Sequence, residues 1–387
     1  MKGRSVGVAG AGIFGIAAAL TLRRRGFDVT VFDAGPIPHP MAESTDISKI
    51  VRLEYGHDEH YTALMEKALA GWRTWPAAHL FHETGVLFLR RSPLQAGTFE
   101  HDSHAVLTRR GHAVERLDRD AIHRRFPEWG EDFVEGTYNP QGGWAESGKV
   151  VALLVDLARD AGVRLASGTA LAGIASSDGR VVGLRTLTGE VHRSDFVVVA
   201  AGAWTQELLP SLAPVLRSVG QPVFHVAPVD AAPFAHDRFP VFGADIAGTG
   251  YYGFPANAAG LVKIANHGPG RPMFAGDVAA RVVSDDETLA LRAFLRDAIP
   301  TLATAPIAAT RVCVYGDTTD QHFWIAPDPD RPELVVAAGG SGHAFKFAPL
   351  LGDMIADALE GKVDPRFRWR METAGKGEER ARHQPAR

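Results

Sequence analysis

Two ionisable side chains lie on one face of a short apolar stretch late in the chain. Lys263, Ala265 and His267 alternate with Val262 and Ile264, and alternating residues of a β-strand point to opposite faces. An ammonium and an imidazole on one face of an otherwise apolar strand indicate a lined cavity. A solvent-facing edge strand is the alternative, and the pattern alone leaves both readings open.

Cys313 is the only cysteine of the chain, and it lies in a second alternating stretch. Arg311, Cys313 and Tyr315 share one face of the predicted strand, while Val312 and Val314 share the other. A structural cysteine would more often lie with the valines, so Cys313 is a candidate reactive thiol. A small buried apolar residue is the usual alternative. A lone cysteine excludes an intrachain disulfide and a cysteine-rich zinc site.

A glycine-rich turn near the N-terminus indicates a dinucleotide site. Gly10, Gly12 and Gly15 form a G-x-G-x-x-G motif between a predicted strand and helix, and Asp33 ends the next strand, 18 residues after Gly15. The glycines permit a tight turn, close approach of the pyrophosphate and close helix packing, and the carboxylate holds ribose hydroxyls. The motif fits NAD or FAD, whereas Asp33 would repel the 2′-phosphate of NADP. A ligand-free turn is the alternative. The residues expected at the cofactor are Gly10, Gly12, Ile13, Phe14, Gly15 and Asp33.

The order of predicted elements indicates an α/β fold with two interleaved domains. A strand–helix–strand unit opens the chain at 6–33, apolar core-strand runs recur at 197–202 and 334–339, and residues 219–270 alternate like an antiparallel sheet. Nucleotide-binding features therefore enclose a second, mainly β domain. The predicted dinucleotide-binding domain comprises 1–82, 143–216 and 318–372, the substrate-binding domain comprises 83–142 and 217–317, and 373–387 form a flexible tail.

Composition and charge exclude several functional classes. The 387 residues carry 41 Lys and Arg against 45 Asp and Glu, a formal net charge of −4, which argues against a general nucleic-acid binder. No stretch reaches about 18 uninterrupted apolar residues, so we expect no membrane span. The apolar run at 6–22 is explained by a strand, turn and helix rather than by a signal peptide. A cytoplasmic protein is therefore expected, and we expect a monomer.

Segments spread over nearly the whole chain resemble one enzyme family. They are Gly10–Gly15, Lys49–Arg52 with Tyr55-Gly56, Thr84–Leu87, Ala201–Trp204, Tyr251–Pro255, Leu261–Lys263 with His267, Arg311–Tyr315, Asp320–Phe323 and Gly340–Phe347. With these segments the chain resembles the monomeric sarcosine oxidase family of FAD-dependent amine oxidases. The resemblance implies a Rossmann-like FAD-binding domain interleaved with a mixed antiparallel-sheet substrate domain, as in D-amino acid oxidase.

The resemblance also implies a covalent cofactor and an oxygen-reactive lysine. In the family, the cysteine matching Cys313 forms a thioether to the flavin 8α-methyl, which implies covalent FAD. The lysine matching Lys263 promotes reaction with O₂, because a fixed positive charge stabilises superoxide. The residues matching Tyr252 and His267 line the substrate side.

Two further cations are implied as a clamp for a substrate carboxylate. In the family, the residues matching Arg52 and Lys346 bind that group, as suits one guanidinium and one ammonium. For Arg52 alone, a surface ion pair is the alternative. The run Gly339–Gly342 precedes a helix predicted to begin near His343, whose N-terminus would favour negative charge on a reduced flavin. Further residues expected at the cofactor are Ser48, Lys49, Cys313, Gly340, Gly342, His343 and Lys346.

The predicted reaction is C–N oxidation of a secondary or N-substituted, sarcosine-like amino acid to an imine, with O₂ reduced to H₂O₂. The family's type member has arginine at the position of Lys49, and Thr45–Lys49 looks more like the D-x-x-K element of oxidases acting on glycated amino acids. An oxidase of fructosyl amino acids is therefore an alternative. A flavin dehydrogenase that passes electrons to a carrier and a non-catalytic flavin-binding protein are two more. We expect no metal and no partner beyond the amino-acid substrate and O₂.

Overall fold

The structure, a computed structural model, describes residues 3–372 and Arg382 of the chain. The helices within these residues are α1 Ile13–Arg24, α2 Glu59–Thr74, α3 Phe99–Arg109, α4 Arg119–Arg125, α5 Ser147–Asp160, α6 Thr205–Leu208, α7 Ile246–Thr249, α8 Asp285–Ala298 and α9 Ala348–Leu359. Short 3₁₀ turns lie at Ala78–Leu80, Gly202–Trp204, Pro210–Leu212, Ala232–Phe234, Pro300–Leu302, Phe345–Phe347 and Pro365–Phe367.

The strands within the described residues form two large and two small sheets. The strands of the first half are β1 Ser5–Ala9, β2 Asp28–Phe32, β3 Lys49–Val51, β4 Phe81–His82, β5 Val86–Arg90, β6 Glu115–Asp118, β7 Glu135–Asn139, β8 Gly143–Ala145, β9 Arg164–Ala166, β10 Leu171–Ser177, β11 Arg180–Thr186 and β12 Val191–Arg193. Those of the second half are β13 Phe196–Val199, β14 Leu216–Val226, β15 Val241–Ala244, β16 Tyr251–Ala256, β17 Val262–Asn266, β18 Arg271–Pro272, β19 Ile307–Thr318, β20 Trp324–Pro327 and β21 Leu334–Ala338.

A six-stranded sheet in the order β20-β21-β13-β1-β2-β9 forms the first layer. Its neighbouring strands are parallel except β20, which runs antiparallel to β21. Every residue of β13 and β21 is buried, as expected of strands covered on both faces. On one face α1 packs against α5 and α9, and all its residues from Ile13 to Leu20 are buried. The predicted strand–helix–strand opening is therefore confirmed.

The second large sheet is mainly antiparallel, in the order β18-β14-β17-β16-β15-β5-β7-β6, with β19 on the other edge of β14. The pairing of β14 with β19 extends from Leu216 opposite Thr318 to Val226 opposite Ile307. One face is covered by α8, where Phe294 packs into an apolar core with residues of the sheet. Strands β14, β16 and β17 confirm the alternation predicted over 219–270.

The fold class is confirmed as α/β with a second, mixed sheet built mainly from antiparallel strands. The first sheet takes its strands from 5–32, 164–166, 196–199 and 324–338, and the second takes them from 86–139 and 216–318. The exact division into two domains stays a prediction. The predicted tail lies outside the described residues apart from Arg382, whose guanidinium lies 2.7 Å from the Asp317 carboxylate. Within residues 3–372, no helix has the length and apolar character needed to cross a membrane.

Candidate active site

Three adjacent strands, β17, β14 and β19, share one face that carries the reactive side chains. In the register of these strands, His225 lies opposite Lys263, and Val223 lies opposite both Ala265 and Arg311. Directly paired residues of antiparallel strands point to the same face. We call this the reactive face; it carries Lys263, Ala265, Val219, Gln221, Val223, His225, Arg311, Cys313 and Tyr315.

The alternation predicted for both stretches is confirmed by their packing. Val262 and Ile264 belong to the apolar core on the opposite side of the sheet. On the reactive face, Cys313 packs in a separate cluster with Ala265 and Tyr315. The thiol is 1% exposed. Cys313 is therefore buried, as expected of a small structural residue, but the residues of the reactive face surround it.

The segment that leads into β3 brings two charged groups against this face. The Lys263 ammonium donates to Asp46 Oδ2 at 2.5 Å and to the Ser48 carbonyl at 2.6 Å. The Lys49 Nζ atom lies 3.7 Å from Cys313 Sγ and 3.9 Å from Asp46 Oδ2. Lys263 and Asp46 are each 3% exposed. The alternative of a solvent-facing edge is therefore wrong for Lys263.

Burial and neighbouring charges shift the pKa values in this cluster. Loss of hydration lowers the pKa of Lys263 to about 8, against the opposing effect of Asp46. Burial by itself would raise the pKa of Asp46, but the charges of Lys263 and Lys49 outweigh it and hold that pKa well below its usual range. Burial raises the pKa of the Cys313 thiol, while Lys49 acts in the opposite direction. At neutral pH the Asp46–Lys263 pair is ionised and the thiol is protonated.

Two tyrosines and a histidine extend the site beyond the thiol. The Tyr252 and Tyr315 hydroxyl oxygens lie 3.5 Å apart, and the His267 ring centre lies 6.3 Å and 6.1 Å from the two phenol rings. His267 directly follows β17, and its backbone N–H donates to the Gly250 carbonyl at 2.7 Å. Burial raises the pKa of Tyr252 to about 12, so this hydroxyl stays protonated and is available as a donor.

Arg52 and Lys346 are distant in sequence and converge on Tyr55. Lys346 Nζ donates to Tyr55 Oη at 3.0 Å. The Arg52 guanidinium carbon and Lys346 Nζ each lie 5.0 Å from the centre of the Tyr55 ring. The two cations are 5% and 3% exposed, so the surface ion pair is wrong for Arg52. Two buried cations beside one phenol form an arrangement suited to an anionic group.

A cavity of about 560 Å³ extends from the glycine-rich turn toward the reactive face, within the range of cofactor and ligand pockets. Its lining includes Gly12 and Asp33 at one side and Lys49 and Gly316 at the other. The Asp33 carboxylate lies at the carboxyl end of β2 and accepts the Ala11 backbone N–H at 2.9 Å. The predicted dinucleotide turn therefore opens into a space that reaches the neighbour of the buried thiol.

Each of the three positions in the turn requires glycine for a different structural reason. Gly10 has φ +99°, a left-handed backbone conformation that side chains disfavour. A Cβ at Gly15 would fall on the Gly10 carbonyl oxygen, so this glycine permits the close helix packing. A Cβ at Gly12 would meet only Ser44 Oγ at 3.4 Å. Gly12 therefore matters for the open space of the cavity rather than for the packing of the chain.

The helix predicted to begin near His343 begins later, at Ala348. Ser341 and Gly342 have φ values of +47° and +74°, which interrupt a helical path, and a 3₁₀ turn at Phe345–Phe347 intervenes. Pro349 occupies the first turn of α9, where its missing N–H is tolerated. The N-terminus of α9 is therefore not at His343, and that part of the charge argument is wrong.

The remaining residues expected at the cofactor fall into two groups. Ile13, Phe14 and Gly340 line the cavity. Gly342 and His343 do not line it: Gly342 packs on the Tyr315 ring, and the His343 ring stacks on Phe323 with 4.8 Å between ring centres. Ser48 contributes its carbonyl to Lys263. Within the described part of the chain, no three His, Cys, Asp or Glu side chains are grouped to hold a metal ion.

Sequence reasoning missed Asp46, Tyr55, His225 and Glu43 as site residues. Asp46 lies in the noted D-x-x-K element, but its loop has no periodicity that would aim its side chain. Tyr55 lies within a quoted segment without an assigned role. His225 is recognisable only from the strand register opposite Lys263. Glu43 lines the cavity, and burial raises the pKa of its carboxyl to about 7.

The chain matches one protein family over nearly its whole length. The FAD-dependent oxidoreductase family matches the chain over residues 5–358. The chain belongs to this family. N-methyl-L-tryptophan oxidase of Escherichia coli O139:H28 is 30% identical over 369 residues, covering 92% of this chain and 94% of the relative. The corresponding enzyme of Salmonella enteritidis PT4 is 31% identical over 367 residues, with the same coverage. The resemblance to the sarcosine oxidase family is confirmed.

Solved structures of two fungal enzymes have a similar fold. Amadoriase I of Aspergillus fumigatus, a fructosyl amine:oxygen oxidoreductase, is 27% identical with a TM-score of 0.82, over 96% of this chain and 90% of its own. The fructosamine oxidase Amadoriase II of the same fungus is 26% identical with a TM-score of 0.83, over 99% and 94%. The prediction of a flavin-dependent amine oxidase acting on a CH–NH group is confirmed at the level of the family.

The residues of this oxidoreductase fit the cofactor of its family. Gly12 and Gly340 leave the cavity open, because a Cβ at either position would meet no atom closer than 3.4 Å. Asp33 lies at the end of β2, where a ribose would be held. Lys49 belongs both to the cavity lining and to the surroundings of Cys313. FAD in this cavity would therefore be held by the turn at one end and would approach the reactive face at the other.

Proposed function

We propose that the protein oxidises a secondary or N-substituted amino acid with FAD and O₂. The observation that carries this proposal is the convergence of Arg52 and Lys346 on Tyr55, in a chain whose reactive face holds Cys313 beside Lys49. A buried pair of cations supplies the binding site for an α-carboxylate. The names of the curated relatives support an N-methyl amino acid as the substrate.

The overall reaction removes two electrons and two protons from the C–N bond of the substrate. FAD bound in this cavity would supply the two-electron redox chemistry that links the substrate to O₂, and O₂ with these two electrons and two protons gives H₂O₂. Water then hydrolyses the imine to an aldehyde or ketone and an amine. Arg52 and Lys346 orient the substrate through its carboxylate, and Tyr252 and His267 bound the space for the remainder. Lys263 supplies the fixed positive charge for the reduction of O₂.

We further propose that FAD is attached covalently through Cys313. A C–S bond would replace the S–H bond and one C–H bond of a flavin methyl group, and the two electrons and two protons released would pass to O₂ as H₂O₂. The reaction requires the thiolate, and burial alone disfavours that form. Lys49, 3.7 Å from the sulfur, supplies the compensating positive charge. Of the other residues expected at the cofactor, Gly10, Gly12, Ile13, Phe14, Asp33, Lys49 and Gly340 line the cavity. Gly15, Ser48, Gly342, His343 and Lys346 do not line it, and their contact with the cofactor stays a prediction. A covalent bond would prevent loss of the cofactor.

A fructosyl amino acid is the second candidate substrate. The D-x-x-K element is present as Asp46 and Lys49, and both side chains lie at the reactive face. The structural relatives named above act on fructosyl amines according to their names. The clamp formed by Arg52 and Lys346 would serve either substrate class, since both carry an α-carboxylate.

Measured turnover of four substrates tests the proposal. Purified protein is given sarcosine, N-methyl-L-tryptophan, pipecolate or fructosyl-glycine in an oxygen electrode, with H₂O₂ assayed in parallel. We expect O₂ uptake and equimolar H₂O₂ with one of the first three. Preference for fructosyl-glycine would favour the second candidate, and substrate-dependent loss of flavin absorbance without O₂ uptake would favour the dehydrogenase. Absence of any flavin reduction would favour the non-catalytic alternative. The cytoplasmic location and the monomeric state stay predictions.

A further inference from the structure

Hydrogen bonds hold both the backbone carbonyl and the carboxylate of Asp46. Its carbonyl oxygen accepts the Gly148 backbone N–H at 2.8 Å and the Ser147 hydroxyl at 2.6 Å, both at the start of α5. Its Oδ1 atom accepts the Ile47 backbone N–H at 2.7 Å. Only Oδ2 is directed to the Lys263 ammonium, at 2.5 Å. Both the backbone and the carboxylate of Asp46 are thus held by groups outside the reactive face.

The Lys263 side chain depends on such acceptors for its position. A lysine has a flexible four-carbon stem with many rotamers, so an ammonium without acceptors would occupy several positions. Here it is held by Asp46 Oδ2 and the Ser48 carbonyl, and it lies 4.6 Å from the centre of the Phe254 ring. All three groups come from outside β17, and Asp46 is the charged member.

We propose that Asp46 is a positioning residue for Lys263: it fixes the ammonium at one place and keeps it charged, and it thereby sets the rate at which the reduced enzyme reacts with O₂. The inference deepens the proposed function and rests on the role proposed there for Lys263. The role proposed for the Asp46–Lys263 pair requires no contact with the amino-acid substrate. A change at Asp46 should therefore slow the reaction with O₂ and leave the reaction with the substrate nearly unchanged.

The other charged groups around Lys263 do not replace Asp46. The titratable groups that act on Lys263 are Asp46 from the loop before β3, Lys49 at the start of β3, His225 from β14 and Cys313 from β19. Tyr252 of β16 and Arg311 of β19 lie on the same face of the sheet. Lys49 lowers the pKa of Lys263, whereas Asp46 raises it. Burial lowers the pKa of His225, so the imidazole is neutral at neutral pH. Neither of its ring nitrogens hydrogen-bonds a group in the described part of the chain, so it does not compete for the carboxylate.

The test measures reoxidation without any amine substrate. The flavin of the holoenzyme is reduced photochemically without O₂ and is mixed with O₂-containing buffer in a stopped-flow spectrometer. For Asp46→Asn we expect reoxidation slower by about 10- to 100-fold, the loss of one hydrogen bond to a charged group. Anaerobic reduction by the best amino-acid substrate should change by less than about 3-fold, because Asp46 does not belong to the clamp.

The pH profile separates positioning from a merely structural role. In the wild type we expect the reoxidation rate to fall as the pH rises through about 8, where Lys263 loses its proton. Without the Asp46 charge the ammonium is less stable, so in Asp46→Asn the fall should begin at lower pH. Asp46→Glu keeps the charge but displaces it, so its fall should stay near pH 8 while its rate is reduced.

A matched control and a stability measurement complete the design. Asp328 is 4% exposed and lies 2.6 Å from Arg331 in the turn between β20 and β21, and Asp328→Asn should leave reoxidation unchanged. In urea unfolding of the holoenzyme, Asp46→Asn and Lys263→Met should each lower the midpoint. Their combination should lower it by less than the sum, as for any buried ion pair.

Three outcomes would contradict the account, and each has a different consequence. If reduced wild-type protein reacts with O₂ no faster than free reduced flavin, the proposed oxidase function is wrong and the inference falls with it. If the wild type reacts rapidly and Asp46→Asn matches it in rate and pH profile, the inference is overturned and the oxidase function stands. Additive midpoints in the urea cycle would likewise overturn the coupling of Asp46 to Lys263.

Discussion

At the residue scale, Cys313 shows two opposing effects on one thiol. Burial raises its pKa, and the Lys49 ammonium 3.7 Å away lowers it. A purely structural cysteine would need no cation next to its sulfur. The sequence pattern indicated the face on which the thiol lies, but the identity of the cation came only from the fold, because positions 49 and 313 are far apart in sequence.

The covalent attachment predicts a colour that survives denaturation. Acid precipitation of the wild-type protein should leave a yellow pellet, because a thioether does not release the flavin. Cys313→Ser should give a colourless pellet and a yellow supernatant. Lys49→Met should lower the fraction of flavin retained in the pellet. Without the positive charge of Lys49, a smaller fraction of the Cys313 thiol is deprotonated. A colourless wild-type pellet would remove the covalent claim.

The carboxylate clamp predicts a selective loss of substrate affinity. Arg52→Gln and Lys346→Met should each raise KM for the amino-acid substrate by about 10- to 100-fold, since each removes a charge-assisted contact worth roughly 1.5–3 kcal/mol. KM for the corresponding amine without a carboxylate should change little. Kinetics with the paired substrates measure the difference. An equal rise for both substrates would show that the two residues do not recognise the carboxylate.

At the element scale, two glycines of the turn between β1 and α1 have different roles: Gly15 serves the packing of the fold and Gly12 serves the binding of the cofactor. Gly15→Ala should lower the unfolding midpoint of the cofactor-free protein, because its Cβ would fall on the Gly10 carbonyl oxygen. Gly12→Ala should leave that midpoint nearly unchanged and reduce the FAD content, because its Cβ enters the cavity. Thermal unfolding and flavin absorbance per protein measure the two effects. Equal destabilisation by both variants would contradict this assignment.

Helix α3 carries a buried carboxylate that makes stability depend on pH. Glu100 is fully buried, and no other described residue donates a hydrogen bond to it, while Arg90 Nη1 lies 3.7 Å away. Burial raises the pKa of Glu100 to about 7. The folded pKa is above the unfolded one, so its contribution to stability is complete below the unfolded pKa and is lost as the pH rises through about 7.

Glu100→Gln should therefore stabilise the protein at high pH alone. At pH 8 we expect a gain in unfolding free energy of up to about 3 kcal/mol, the equivalent of the shift of that pKa, and at pH 4 almost none. Denaturant unfolding at the two pH values measures it. Glu131→Gln, at a side chain that is 84% exposed, serves as the control and should show no such difference. A gain that is the same at both pH values would contradict the argument.

The elements with strong local patterns were predicted from sequence, and those set by long-range contacts were not. Strand β1, helix α1 and strand β2 agree with the predicted opening within one or two residues. The start of α9 was predicted too early. The left-handed φ values of Ser341 and Gly342 delay the helix, and the residue types of this segment do not reveal them. The parallel pairing of β5 with β15 also lacks a local signal, since it joins Val86 to Val241.

At the scale of the whole molecule, the site exists only because five parts of the chain meet. Residues 46–55, 219–225, 252–267, 311–315 and 340–346 supply the clamp and the reactive face. The alternation within each strand predicted which side chains share a face. The pairing of Asp46 with Lys263 and of Lys346 with Tyr55 could not be predicted, because each joins a loop to a residue more than 200 positions away.

The most direct test of the amine-oxidase function is one cycle of bleaching and recovery. Holoenzyme without O₂ is mixed with one equivalent of N-methyl amino acid while the flavin absorbance is recorded, and O₂ is then admitted. We predict complete loss of the absorbance near 450 nm, about the usual position for oxidised flavin, then its return with one H₂O₂ per flavin. An absorbance that stays constant with every N-substituted amino acid offered would contradict the account.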